Sequence, residues 1–186
     1  MSVQFPTGAT RAIQPGDVPD LNDGQLSRPQ AAENITRGQA CFIINGNVTI
    51  ATSAAAGVGH APFVPTESVD NSGGSAGDTE MSGVVAPQRV ALTFETVTGA
   101  LTLFPGDYVK ISDAVAGIVE RWLTTDAAEI KYARFLGIEA ALLDRDASTP
   151  FDETLTPGVV PDQSVTGTNG QQFVGWFQLI ESQAGT

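Results

Sequence analysis

The side chains in this sequence that could bind a cation or move a proton fall into two acidic groups and a few single residues. Asp144, Asp146 and Asp152 crowd around Pro150, and Asp70, Asp78 and Glu80 bracket a glycine-rich run. Carboxylate oxygens are hard ligands suited to Ca²⁺, but neither group has the regular spacing of an EF-hand. Two carboxylates can also divide general-acid and general-base work when their environments differ, and nothing in either run distinguishes one carboxylate from the next. Solvated acidic loops are the expectation for both, with Asp70, Asp78, Glu80, Asp144, Asp146 and Asp152 kept as candidate metal ligands. His60 is the only histidine and has no partner at a recognised spacing, so it reads as a loop residue. Cys41 is the only cysteine, which excludes an internal disulfide and a cysteine-based zinc site, and it reads as a small buried hydrophobe. Gly57-Val58-Gly59 lacks both the Lys-Ser/Thr pair of a phosphate loop and the third glycine of a dinucleotide fingerprint. No catalytic residue, enzymatic activity or cofactor is expected.

The elements that would carry these residues are mostly strands. Generous glycine and proline with few charged residues favour strands and loops over long helices. In 41–51, CFIINGNVTIA, two β-prone runs flank Asn45-Gly46, the pair suited to a two-residue type I′ turn. Between Pro87 and Thr96, Val90, Leu92 and Phe94 alternate with Arg89, Ala91, Thr93 and Glu95, the period of a strand with one buried face. Leu101–Phe104 and Tyr108–Ile111 around Pro105-Gly106-Asp107 read as a further hairpin, and 117–123 as a strand. From Asp126, a capping-box arrangement and helical spacing of Ala127, Ile130, Ala133 and Leu136 before Gly137 predict a short α-helix over 126–136, followed by a strand over 138–143. The last run, QFVGWFQLI, is apolar on both faces, so it is either a central strand or one whose Trp176 face meets a partner. The expected fold is mainly β: a small antiparallel barrel or sandwich of about eight strands with one short helix, formed by 38–186, with long loops at 53–83 and 144–170.

The bulk charge narrows the partners. A net charge of −12 with singly scattered arginines lacks the clustered cations a phosphate backbone needs, so nucleic acid is not expected. An acidic surface with almost no lysine suits a high-salt solvent, where like-charge repulsion is screened, and points to a halophilic source. No basic n-region followed by an apolar stretch opens the sequence, and no uninterrupted apolar run reaches membrane-spanning length, so no membrane partner is expected.

The order of a PGDYV hairpin, a strand, a DAAEIKYARFLG helix ending in Leu-Gly, and a following strand resembles the small β-rich capsid decoration proteins of tailed viruses, over roughly 37–143 and the last strand. That resemblance implies a structural virion protein made in the host cytoplasm. It would bind the major capsid protein on the outer surface of an icosahedral head, stabilise the shell, and form a homo-oligomer, a trimer by analogy. Residues 1–37, rich in proline and glycine, are read as an extended arm, with Phe5, Ile13, Leu21 and Ile35 as partner-binding anchors alongside Trp176. The alternative is a receptor- or carbohydrate-binding module of a virion spike that uses the two long loops.

Overall fold

The Asn45-Gly46 turn forms as its residue types require. Asn45 and Gly46 adopt φ values of 51° and 86°, the two positive angles of a type I′ turn, and the flanking strands pair in register from Ile44↔Asn47 to Cys41↔Ile50. In the computed structural model, which describes residues 14–18, 26–53, 60–71, 75, 79–126, 130–138 and 164–181, this hairpin is the centre of a seven-stranded sheet. Its members are β1 (Leu26–Ser27), β2 (Gln30–Ala31), β3 (Cys41–Ile44), β4 (Asn47–Ile50), β5 (Ala61–Pro65), β6 (Thr79–Glu80) and β7 (Gly83–Val85), in the order β1-β7-β5-β3-β4-β2-β6. Both faces of this sheet are apolar. On β3, Phe42 points to the larger core and Cys41 to a second one, where Val48, Phe63, Met81, Ala31 and Ile35 gather.

The larger core fills a closed barrel. Its strands are β8 (Arg89–Glu95), β10 (Tyr108–Ile111), β11 (Val119–Arg121), β12 (Ala133–Gly137) and β14 (Gln172–Leu179), closing in the order β10-β11-β8-β14-β12. Val90, Leu92 and Phe94 of β8 point inward, as their alternation dictates, and meet Val109, Ile111, Val119, Phe135, Phe177 and Leu179. The Phe94, Phe135 and Phe177 rings pack with centroids 5.2 to 5.9 Å apart at tilted angles. Burying each such side chain contributes about 1.5–3 kcal/mol. A two-stranded ribbon, β9 (Thr102–Leu103) with β13 (Val165–Thr166), adds Leu103 and Val165 to the same core. All ladders are antiparallel except β2–β4 and β8–β11.

The mainly β class holds, and three local expectations are corrected. No α-helix covers 126–136: Thr124–Asp126 forms a single 3-10 turn, residues 127–129 lie outside the described residues, and Ala133–Gly137 is strand β12. Apolar side chains at helical spacing there also fit a strand, and pairing β12 with both β10 and β14 while burying Ala133 and Phe135 outweighs the local preference. Of the strand expected over 138–143, Ile138 lies past the end of β12 and 139–143 fall outside the described residues. Leu101–Phe104 and Tyr108–Ile111 do not pair with each other. The Pro105-Gly106 turn does form, with the Asp107 amide donating to the Phe104 carbonyl at 2.9 Å, but β9 pairs with β13 and β10 with β11 and β12. The strand count is also higher, because several ladders are two residues long.

The loop and arm boundaries change too. The expected loop over 53–83 contains β5 and β6, while 54–59, 72–74 and 76–78 lie outside the described residues. The second, over 144–170, contributes β13, and 144–163 lie outside them. Of the expected arm, residues 14–18 and 26–37 are described, and they pack on the domain. Gly16 donates to the Ala91 carbonyl and the Ala91 amide donates to the Asp17 carbonyl, each at 2.8 Å, so this stretch extends the barrel wall beside β8. β1 and β2 belong to the seven-stranded sheet, and Ala31 and Ile35 are buried in its second core.

Tyr132 joins sheet and barrel. Its ring is fully buried against Phe42, and its hydroxyl accepts from the Cys41 amide at 3.0 Å and lies 2.9 and 2.8 Å from the Cys41 and Phe63 carbonyls. A barrel residue thus fills a gap in the β3–β5 ladder.

Candidate functional site

Among the described residues, a cluster of charged side chains lies on the outer wall of the barrel, yet it is buried. On β10 the inward residues are Val109 and Ile111, so Lys110 points outward; Glu120 on β11 and Glu95 on β8 do the same. The Lys110 ammonium lies 2.9 Å from Asp113, 3.3 Å from Glu120 and 3.6 Å from Asp126, with the Lys110 and Glu120 side chains only 4% and 6% exposed. Glu95 is the ladder partner of Glu120 and accepts from the Ser112 hydroxyl at 3.2 Å. Removing an ammonium or carboxylate from water costs several kcal/mol, and here Lys110 offsets it for Glu120, Asp113 and Asp126, while Glu95 is satisfied by the Ser112 hydroxyl. The cluster is therefore a clamp: Lys110 ties the 112–117 loop and the 3-10 turn to the barrel wall. Sequence reasoning missed it because an outward charge on a strand ordinarily reads as solvated, and alternation alone does not reveal that loops fold over it.

Beside the clamp, large apolar side chains reach solvent. Phe104 is 48% exposed and Leu101 and Tyr108 are each 39% exposed, all around the Pro105-Gly106 turn. Cations are built into the same surface. The Arg121 guanidinium lies 5.7 Å from the Phe104 ring centre while its Nε pairs with Asp107 at 2.9 Å and its Nη1 donates to the Thr102 carbonyl. Lys131 places its ammonium 4.5 Å from the Tyr108 ring and 4.4 Å from the Trp122 ring. Arg134, opposite Tyr108 in the β10–β12 ladder, is exposed and donates from Nε to the Gly106 carbonyl at 3.2 Å. Each exposed cation–π contact contributes about 0.5–1 kcal/mol, and together they hold these side chains in fixed positions, which lowers the ordering cost of a contact made there.

The residues singled out from sequence do not converge. Asp70 and Glu80 are exposed on the seven-stranded sheet unit, while Asp78, Asp144, Asp146 and Asp152 lie outside the described residues. Among the described residues no group of three or more His, Cys, Asp or Glu is arranged to hold a metal ion. Phe5, Ile13 and Leu21 also lie outside them. Ile35 is 1% exposed and bridged to Val69, so it is a core residue and not an anchor for a foreign surface. Trp176 is half-buried on the outer side of β14, and its indole N–H is buried without a hydrogen-bond partner. His60 packs against Phe42, with ring centres 5.6 Å apart. Cys41 is buried as expected; burial, then the negative charge of Glu33, push its thiol far above the ordinary range. Burial likewise raises the Tyr132 hydroxyl well above its usual value, with Cys41 adding to the rise and the backbone hydrogen bonds opposing it. Neither group offers a nucleophile near neutral pH.

No helix of the described residues is long and apolar enough to cross a membrane. No protein-family model matches the chain, and no curated protein matches it.

Proposed function

We propose that this chain is a structural virion protein that decorates the outer surface of a viral head, acting by contact and not by catalysis. One observation carries the reading: Leu101 and Phe104, which flank β9, and Tyr108 of β10 stand exposed around the Pro105-Gly106 turn, interleaved with Arg121, Lys131 and Arg134. A protein surface does not leave large aromatic groups exposed and braced in this way without a benefit, and clustered aromatics with arginine are the composition of contact surfaces. The resemblance to decoration proteins supplies the virion setting; the hairpin and helix that contributed to it are replaced in this fold by β9, β10 and β12. What remains is a small barrel with tight turns. The proposed contact surface spans the β9 ribbon and the adjoining barrel strands β10, β11 and β12, which moves the expected attachment from the arm to the face around Pro105-Gly106.

The test is binding of the full chain to purified heads that lack it, read by co-sedimentation. The full chain is expected to co-sediment saturably, and Phe104→Asp with Tyr108→Asp, both at exposed positions, to weaken binding at least about tenfold with unchanged circular dichroism. Absence of the chain from purified particles, or binding unaffected by the two substitutions, overturns the reading.

A further inference from the structure

We propose that Asn45 is a site of spontaneous deamidation, at which the exposed tip of the β3–β4 hairpin converts to isoaspartate and aspartate, while Asn169 is protected by its hydrogen bonds. The sequence contains two Asn-Gly pairs, Asn45-Gly46 and Asn169-Gly170. Asn-Gly is the reactive combination because glycine has no Cβ to hinder its amide nitrogen from approaching the preceding side chain. Both pairs are exposed, and a Cβ added at Gly46 or at Gly170 would meet nothing within 4 Å, so open space does not separate them. Hydrogen bonding does. The Gly170 amide donates to the Thr96 carbonyl at 2.7 Å, and the Asn169 side-chain oxygen accepts from the Thr98 amide at 2.8 Å. Both groups that must react are therefore tied to the 96–98 segment. At the hairpin tip, neither the Asn45 carboxamide nor the Gly46 amide has a hydrogen-bond partner among the described residues.

The chemistry needs only water. Solvent hydroxide removes the Gly46 amide proton, and the nitrogen bonds to Asn45 Cγ. The Cγ–Nδ2 bond breaks and the nitrogen departs as ammonia, which leaves a five-membered imide. Water then opens the imide at one of its two carbonyls, giving aspartate or isoaspartate. In sum one water is consumed and one ammonia released. The Gly46 N–H is open to hydroxide, whereas the Gly170 N–H must first lose its bond to Thr96. For the nitrogen to reach Cγ the turn must open, and the bonds that resist this belong to the ladder that starts at Ile44↔Asn47, the end pair of the hairpin. Fraying of an end pair is among the least costly local openings of a fold. Isoaspartate then routes the main chain through the former side-chain methylene, so the two-residue loop gains a backbone atom and its type I′ geometry is lost.

The experiment incubates the full chain, folded and in parallel unfolded in urea, in mildly alkaline buffer. Peptide mapping by mass spectrometry follows the gain of about 1 Da at each asparagine, and electron-transfer fragmentation separates isoaspartate from aspartate. In the folded chain Asn45 is expected to convert at least about tenfold faster than Asn169, and in urea the two rates are expected to converge to within about threefold, because there the hydrogen bonds of both sites are gone. Folded-state conversion of Asn169 as fast as that of Asn45 overturns the proposal. So does a folded chain in which neither converts while both do in urea, since the closed turn would then protect Asn45 as well. A gap between the sites that persists in urea also overturns it, because the neighbouring residues and not the fold would then set the rates.

Discussion

Replacing Tyr132 by Phe tests how the two halves of this protein are joined. The substitution keeps the ring that packs on Phe42 and removes one oxygen. That oxygen accepts from the Cys41 amide and has the Cys41 and Phe63 carbonyls within 2.9 Å, at a site with no solvent access. Without it the Cys41 N–H is a buried donor with no partner, which costs about 1–3 kcal/mol, and the donated bond to a carbonyl is lost for about 1 kcal/mol more. The sum is about 2–4 kcal/mol. For a chain of this length each kcal/mol moves the thermal midpoint by about 2–4 °C, so Tyr132→Phe is expected to melt roughly 5–15 °C below wild type. Differential scanning calorimetry measures this, and a chemical denaturation series with unchanged slope would confirm that the loss is of stability and not of cooperativity. A midpoint within about 2 °C of wild type would refute the reasoning, since it would mean that the sheet closes over the Cys41 amide without the hydroxyl.

Two further outcomes follow from the same structure. A chain beginning at Gly38 loses β1, β2, the Gly16 and Asp17 bonds to Ala91, and the buried Ala31 and Ile35; its circular dichroism is expected to lack the cooperative β-sheet transition, and a truncated chain that melts like the full one would contradict the placement of residues 14–18 and 26–37. On the alkaline side, Cys41 and Tyr132 both have raised values in the folded state, so the stability they contribute is complete below their ordinary values of 9.0 and 10.0 and declines above them, as the unfolded chain ionises while the folded chain does not. Urea titrations from neutral pH to pH 10.5 are expected to show stability falling from about pH 9, more gently in Cys41→Ala; equal slopes in the two chains would remove Cys41 from the account.

The Asn45-Gly46 hairpin, the β8 alternation and the burial of Cys41 were legible from the residues alone, because each depends on neighbours in sequence: a turn needing two positive φ angles, a period of two, a small apolar side chain in a strand. The candidate contact face was not. Its residues were assigned to a hairpin, the 117–123 strand and a helix, and the face exists only because β10 pairs with β11 and β12 in place of β9, which brings Tyr108 beside Arg134 and sets Lys131 between two rings. Strand pairing partners are chosen by the burial of Phe94, Phe135 and Phe177 in a shared barrel, an energy that no local window of sequence contains. The same holds for Lys110, whose type and strand position were plain, but whose burial among Asp113, Glu120 and Asp126 was decided when distant loops closed over it. For the segment before Gly38, proline and glycine content made it read as an extended arm, yet tertiary structure buries Ala31 and Ile35, because a strand joins a sheet through its backbone groups, which every sequence carries.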